Sequence, residues 1–403
     1  MGSEHSSLAT VLVANSQNKL GFSVRTHRHF PLGPRRAFQH LRHIRSVRVA
    51  VIGAAGLVAR ATLLDLLSSH MDVIALDLKR PSLDVDYLKC DLNDPPQVAS
   101  AIRGCDWVIN CAQYYLNIKA MEACLIAGTD YTDLGGLFWM TNNQLSLNQK
   151  FERERLLAII GMGAEPGMSN IAAAQLFRSR GLPESIRIRN GWKNLSPESR
   201  INWSLDTQMD EMTMPAPIWE NGAYTSVSPL SLSEEVNFRE PVGSVRTYIT
   251  IHSELATFPT SFEGVQRVDW MEGGTGFEDA MLLAKLGFGD EKEIFGVSPR
   301  KYLAELLRSK GLIGYEKSEP NEWESVKVVF EFGRDEKKSA ELEIVTPPVP
   351  AWGVDATEFG AGVPSSIAVQ LKPKGDGVLP PEKVIDPVRF FSELEKRGFR
   401  IFT

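Results

Sequence analysis

One stretch constrains this chain more than any other. Val47-Arg48-Val49-Ala50-Val51-Ile52 is a β-branched run with the continuous apolar character of a parallel strand buried on both faces. Gly53-Ala54-Ala55-Gly56-Leu57-Val58-Ala59 follows at once, and then Arg60-Ala61-Thr62-Leu63-Leu64-Asp65-Leu66-Leu67 carries leucines at helical spacing. Strand, glycine turn and helix in this order give a glycine motif its meaning. Gly53 permits the tight turn. Gly56 lets the backbone approach a pyrophosphate at the positive end of the helix, and Ala59 lets helix and strand pack closely. The pattern GxxGxxA is weak alone, but the next run, Asp72-Val73-Ile74-Ala75-Leu76, ends at Asp77. A doubly wound (Rossmann) sheet places there the carboxylate that binds the adenosine ribose diol.

These features predict an α/β nucleotide-binding domain. Asp77 favours NAD, because a carboxylate repels a 2′-phosphate; Lys79 and Arg80 follow it and keep NADP open. The strand-helix rhythm continues. Cys90-Asp91-Leu92 closes a third strand, a helix lies near residues 96–103, and Gly104 to Ala112 contains a buried strand ending on the nicotinamide side. Residues 117–127 form a helix stopped by Gly128, and Asp130-Tyr131-Thr132-Asp133 opens the next strand or loop. The expected cofactor contacts are Gly53, Ala55, Gly56, Leu57 and Val58 at the turn, then Asp77 and Leu78 at the ribose. Asp91 and Leu92 flank the adenine, and Cys111 and Ala112 stand at the nicotinamide.

From about Ile186 the texture changes. Ile186-Arg187-Ile188-Arg189 and Val245 to Ile251 alternate as half-exposed strands do. Val326 to Phe332 and Ala340 to Val345 read as an antiparallel pair around the charged turn Arg334-Asp335-Glu336-Lys337. The second domain is therefore expected to be α+β, with an open, mostly antiparallel sheet covered by helices such as 299–310. Three segments are expected: a basic arm over residues 1–46, a nucleotide domain over 47–170 completed by 355–403, and a substrate and dimerisation domain over 171–354.

Charge separates the arm from the body. The chain holds 44 basic and 50 acidic residues, a net of −6. The arm takes Lys19 and six arginines against the single acid Glu4, together with five of the seven histidines. The acidic body gives no pull toward nucleic acid or anionic lipid. No apolar run is long enough for a membrane span. Four cysteines, Cys90, Cys105, Cys111 and Cys124, form no CxxC pair and read as buried free thiols, so the expected location is cytoplasmic. The Arg- and Ser-rich arm also has the composition of an organellar transit peptide, beside an unstructured extension or an upstream start.

Several segments resemble the saccharopine dehydrogenase-like family. They are Asp106-Trp107-Val108-Ile109-Asn110, Met121-Glu122-Ala123-Cys124, Tyr131-Thr132-Asp133-Leu134-Gly135-Gly136 and, most specific, Gly163-Ala164-Glu165-Pro166-Gly167-Met168-Ser169-Asn170. His252-Ser253-Glu254-Leu255-Ala256-Thr257-Phe258-Pro259, Asp210-Glu211 and Gly377 to Glu382 look like the lysine 6-dehydrogenase branch. The resemblance covers residues 47–403. It implies an NAD(P)-dependent oxidoreductase acting on a CH–NH bond, with lysine losing its ε-amino group. It adds Gly163 and Pro166 to the cofactor contacts and returns the final helix, 387–397, to the nucleotide domain. The glycine turn has one residue more than the family's GxGxxG. Residues 266–273 lack the Arg-Tyr-x-Gly that saccharopine reductases place near substrate, which argues against saccharopine itself. The alternatives are a saccharopine or carboxynorspermidine type reductase and a catalytically silent nucleotide-binding protein.

Amine oxidation requires a base, because only a neutral amine gives up hydride. His252 is the histidine of the second domain and the first candidate, unless it is a strand histidine bonded to Glu254 or Thr257. Glu211 and Asp210 are candidates for holding a substrate ammonium, and Asp133 for a cleft-facing role or a helix cap. Trp203, Trp219 and Trp270 are expected in the core or the pocket wall. No metal constellation is visible. The expected partners are a small amino acid or amine and a second copy of the chain.

Overall fold

A computed structural model describes residues 47–196, 204–312, 319–333 and 338–403. The basic arm, Trp203 and the charged turn 334–337 lie outside the described residues. Six short runs build most of the first sheet: β1 (Arg48–Ile52), β2 (Asp72–Asp77), β3 (Asp86–Lys89), β4 (Trp107–Asn110), β5 (Asp130–Asp133) and β6 (Leu157–Ile159). All pair in parallel, and helices between them bury both sheet faces, which explains the continuous apolar runs. The third strand ends at Lys89, one residue before the expected Cys90-Asp91-Leu92, because Asp91 turns back to accept from the Asn93 amide. The helix Asn117–Ala127 has the expected bounds and ends on Gly128 at φ 72°.

The second sheet contains β7 (Ser185–Asn194), β8 (Ala216–Glu220), β9 (Ala223–Val227), β10 (Ser233–Asn237), β11 (Ser244–Ile249), β12 (Arg267–Gly274), β13 (Glu322–Glu331) and β14 (Ser339–Thr346). Its central order is β10-β11-β12-β7-β13-β14. The pairs are antiparallel except β12 with β7, which run parallel, so the sheet is mixed. The C-terminal segment serves both sheets. Its β15 (Gly377–Leu379) extends the first sheet beside β6, while its β16 (Arg400–Phe402) pairs with β14 in the second. Buried Asp65 of the helix Leu57–Ser68 accepts from Arg397 at 2.6 Å and from Ser366 at 2.7 Å, anchoring that segment to the glycine-turn helix. Both sheets lie within one compact unit, residues 46–403. Among the described residues, no helix is long and apolar enough to cross a membrane.

Register decides which side chains of the second sheet share a face. Glu272 of β12 lies directly beside Asn190 of β7, and Asn190 beside Val326 of β13. Side chains alternate along a strand, so Trp270, Glu272, Asn190, Trp192 and Glu324 all stand on one face. The helices Met168–Arg180, Glu254–Ser261 and Ala356–Leu371 pack against these strands. On the opposite face stand Arg187, Arg189, Asp269 and Lys327.

Candidate active site

A cavity of about 670 Å³ opens between the strand ends of the first sheet and this inward face of the second. Ala55, Gly56, Leu57 and Val58 form one part of its wall, and Cys111 and Ala112 another. Gly53 stands behind them at φ +73°, where a Cβ would lie 2.6 Å from the Ala112 amide nitrogen. Glycine is therefore required for the two chain segments to meet. Gly56 is the N-cap of its helix and provides no side-chain cap, so the helix start faces the cavity with backbone alone, as a phosphate group requires. The turn, its close backbone approach and its uncapped helix start fit a dinucleotide.

Asp77 braces this turn. Its Oδ2 accepts from the Ala55 amide at 3.0 Å and its Oδ1 from the Lys79 amide at 2.9 Å. Leu78 is exposed, Asp91 accepts from the Asn93 amide, and Leu92 is buried; none of the three lies on the cavity wall. Burial pushes the Cys111 thiol up to about 12, so it stays protonated and serves as wall.

On the other side, buried His252 lies flat against Trp270, with ring centres 3.7 Å apart and planes 12° apart. Its Nδ1 is paired with the carboxylate of fully buried Glu254, whose other oxygen accepts from Ser169 Oγ at 2.6 Å. The expected alternative of a histidine bonded to Glu254 and the expected base are thus the same residue: with Nδ1 engaged, Nε2 is left for the cavity that His252 lines.

The charged residues on the rest of the wall are mostly acids: Glu165, Asp206, Glu211, Glu272 and Glu324. Asn190 Nδ2 donates to Glu324 Oε1 at 3.1 Å, and Thr250 Oγ1 to Glu272 Oε1 at 2.6 Å. Burial, with Glu322 and Glu272 nearby, pushes Glu324 up to about 7. Glu165 is raised well above the usual carboxylate range by burial and by Glu324 and Glu254, and burial raises Glu272 as well.

Two family models match the chain. One described as the saccharopine dehydrogenase NADP binding domain matches residues 49–159, and one described as the saccharopine dehydrogenase C-terminal domain matches residues 163–399. The chain belongs to the saccharopine dehydrogenase family. Its cofactor is NAD(P). Carboxyaminopropylagmatine dehydrogenase of Synechocystis sp. is 23% identical over 248 residues, 56% of this chain and 62% of that protein. Carboxynorspermidine synthase of Vibrio alginolyticus is 27% identical over 192 residues, 44% of each chain. The chain thus spans less than two thirds of the length of these curated relatives. An apo saccharopine dehydrogenase (L-Glu forming) from Saccharomyces cerevisiae superposes with a TM-score of 0.63 at 13% identity. That alignment covers 88% of this chain and all of the other, and at this identity it shows the fold alone.

With the family established, the expected site residues sort by position. His252 and Glu211 meet on the cavity wall; Asp133 does not join them. It is fully buried behind the wall and accepts from Gly161 N at 2.7 Å, Tyr131 Oη at 2.9 Å, Gly135 N at 3.0 Å and Gln144. These donors hold the two loops that carry Gly135 and Gly161, so Asp133 neither faces the cleft nor caps a helix. Burial raises it to about 6. Asp210 likewise turns away from the cavity, accepting from Tyr114 at 2.8 Å and Arg300 at 2.7 Å. Pro166 lines the cavity, while Gly163 supports it from behind. Gly167, at φ +135°, would place a Cβ 2.1 Å from the Gly163 carbonyl oxygen.

Sequence reasoning missed Asn190, Glu272 and Glu324 as site residues. The available signal was polar residues at inward positions of otherwise apolar strands. Glu272 lies within residues 266–273, the segment noted above only for lacking a family motif.

Proposed function

We propose that the protein transfers hydride between NAD and a CH–NH bond of an amino acid or amine. One observation carries this reading: His252, backed by Glu254, shares a single cavity with the glycine turn. When bound, the nicotinamide supplies the carbon that exchanges hydride. His252 Nε2 takes the proton that an ammonium must lose before its carbon can release hydride. Glu254 fixes the tautomer through Nδ1 and stabilises the charge that the ring gains. Ser169 holds Glu254 from behind, and Trp270 fixes the ring plane. Glu211 offers a partner for the substrate ammonium, and Arg308 on the same wall one for a carboxylate.

Two finer readings divide at the bond broken. In the lysine 6-dehydrogenase type, a primary amine leaves as ammonia. In the carboxyalkylamine type, a secondary amine is joined or split; the names of both relatives favour this one. The test is a panel of lysine, saccharopine and carboxynorspermidine, each with NAD and with NADP, followed at 340 nm. One amine should give turnover, with NAD preferred. Silence across the panel with both nucleotides overturns the reading and leaves a silent nucleotide-binding protein.

A further inference from the structure

The cavity wall holds more acid than amine oxidation requires. Glu324 is 6% exposed, and its Oε2 is buried without a hydrogen-bond partner although the residue lines the cavity. Oε1 of Glu165, across Asn190, is buried and unpartnered as well. Arg308 is the sole lysine or arginine among the described residues lining the cavity. A buried carboxylate without a cation costs several kcal/mol, and the opposite face of the same sheet gives Asp269 and Glu343 cationic partners. Two unanswered oxygens on one wall therefore mark a place that a cationic group completes.

We propose that Glu165 and Glu324, bridged by Asn190, form a subsite for a second alkylammonium group, so that the substrate is a dication rather than a monoamine. The proposal rests on the amine oxidoreductase reading and deepens it. The reacting nitrogen lies at His252, which lines the same cavity as Glu272. Glu272 and Glu324 stand on strands separated by β7, roughly 10 Å apart from the spacing of neighbouring strands. A chain of several methylenes spans that distance. An ammonium carries three donors, enough to meet Glu165 Oε1 and Glu324 Oε2 together. Burial raises both acids, and an ammonium between them favours their ionised forms.

The test is calorimetric titration of the full chain with NADH present, so that no oxidation occurs. The probes are 1,5-diaminopentane and 1-aminopentane, which match in length and differ in one ammonium. The diamine should bind at least about tenfold tighter, and Glu324→Gln should shrink that preference to within about twofold. Retained NADH affinity shows the variant is folded; if Glu324→Gln does not fold, Glu165→Gln carries the same comparison. Equal binding of the two amines by the unaltered chain overturns the subsite, as does a preference that survives substitution. The oxidoreductase panel fails separately. Turnover without a diamine preference removes the subsite and leaves the function, whereas a Glu324-dependent preference without turnover does the reverse.

Discussion

The two faces of the second sheet are built from the same strands, yet they treat buried charge in opposite ways. On the outer face every acid meets a cation: Asp269 with Arg189 at 2.6 Å, Glu343 with Lys327 at 3.0 Å, Glu331 with Arg187 at 3.2 Å, and Glu234 with both arginines. Burial pushes Asp269 up, but Arg189 and Arg267 outweigh it and hold the carboxyl below its usual range. On the inner face Glu272 and Glu324 receive neutral donors, Thr250 and Asn190, and both are raised. The outer network is complete within the chain, whereas the inner one is complete only with a ligand. A sheet can thus separate stability from function by alternating side chains.

The sharpest way to break this contrast is at the inner-face chemistry. His252→Gln should lower kcat/KM on the order of a hundredfold or more, because proton removal by a placed base contributes that much. Nucleotide affinity should stay within about twofold, since the glycine turn is untouched; a comparable loss of NADH binding, read by fluorescence, would show that His252 is structural.

The outer face should answer in stability instead. Asp269→Ala leaves Arg189, 3% exposed, with one acid fewer and should cost about 3 kcal/mol in denaturant unfolding. Glu324→Gln should have the opposite sign. Its folded pKa of about 7 lies above the ordinary value of 4.5, so the unfolded chain releases this proton first as pH rises. Stability is then full below about pH 4.5 and is lost progressively up to pH 7. Glutamine removes that loss, so the variant should gain on the order of 3 kcal/mol at pH 8 and little at pH 4.5. A Tm difference independent of pH would mean that Glu324 is already answered by a charge within the fold.

Much of this architecture is legible in the sequence, for local reasons. The strand, glycine turn and helix from Arg48 to Ser68 lie within one short segment, and Gly128 ends its helix by its own conformation. The inner-face acids were not legible, because alternation says that a strand has two faces but not which one is wet. The faces of Glu272 and Glu324 are set by the pairing of β12 and β13 with β7, contacts between distant segments that a local pattern does not show. Asp133 misled for a related reason. A carboxylate at a strand end faces the cleft in many doubly wound sheets, but here four donors, two from loops, one from its own strand and one from the helix Leu137–Leu145, hold it behind the wall.

A third kind of carboxylate sharpens the comparison at its smallest scale. Asp77 meets neither a cation nor an open cavity; backbone amides of Ala55 and Lys79 hold its two oxygens. Amide donors leave each oxygen a further lone pair, so the group can brace the turn and still accept from a ribose diol. Asp77→Asn keeps one acceptor for Ala55 but loses the charge and one acceptor. The expected result is a preference for NAD over NADP reduced about tenfold, because the carboxylate no longer repels a 2′-phosphate, with a stability cost of about 1 kcal/mol from the lost amide bond. The ratio of kcat/KM for the two nucleotides measures the first effect, and the unfolding midpoint the second. A lost midpoint with an unchanged ratio would make Asp77 a brace for the turn alone and assign nucleotide choice to Lys79 and Arg80.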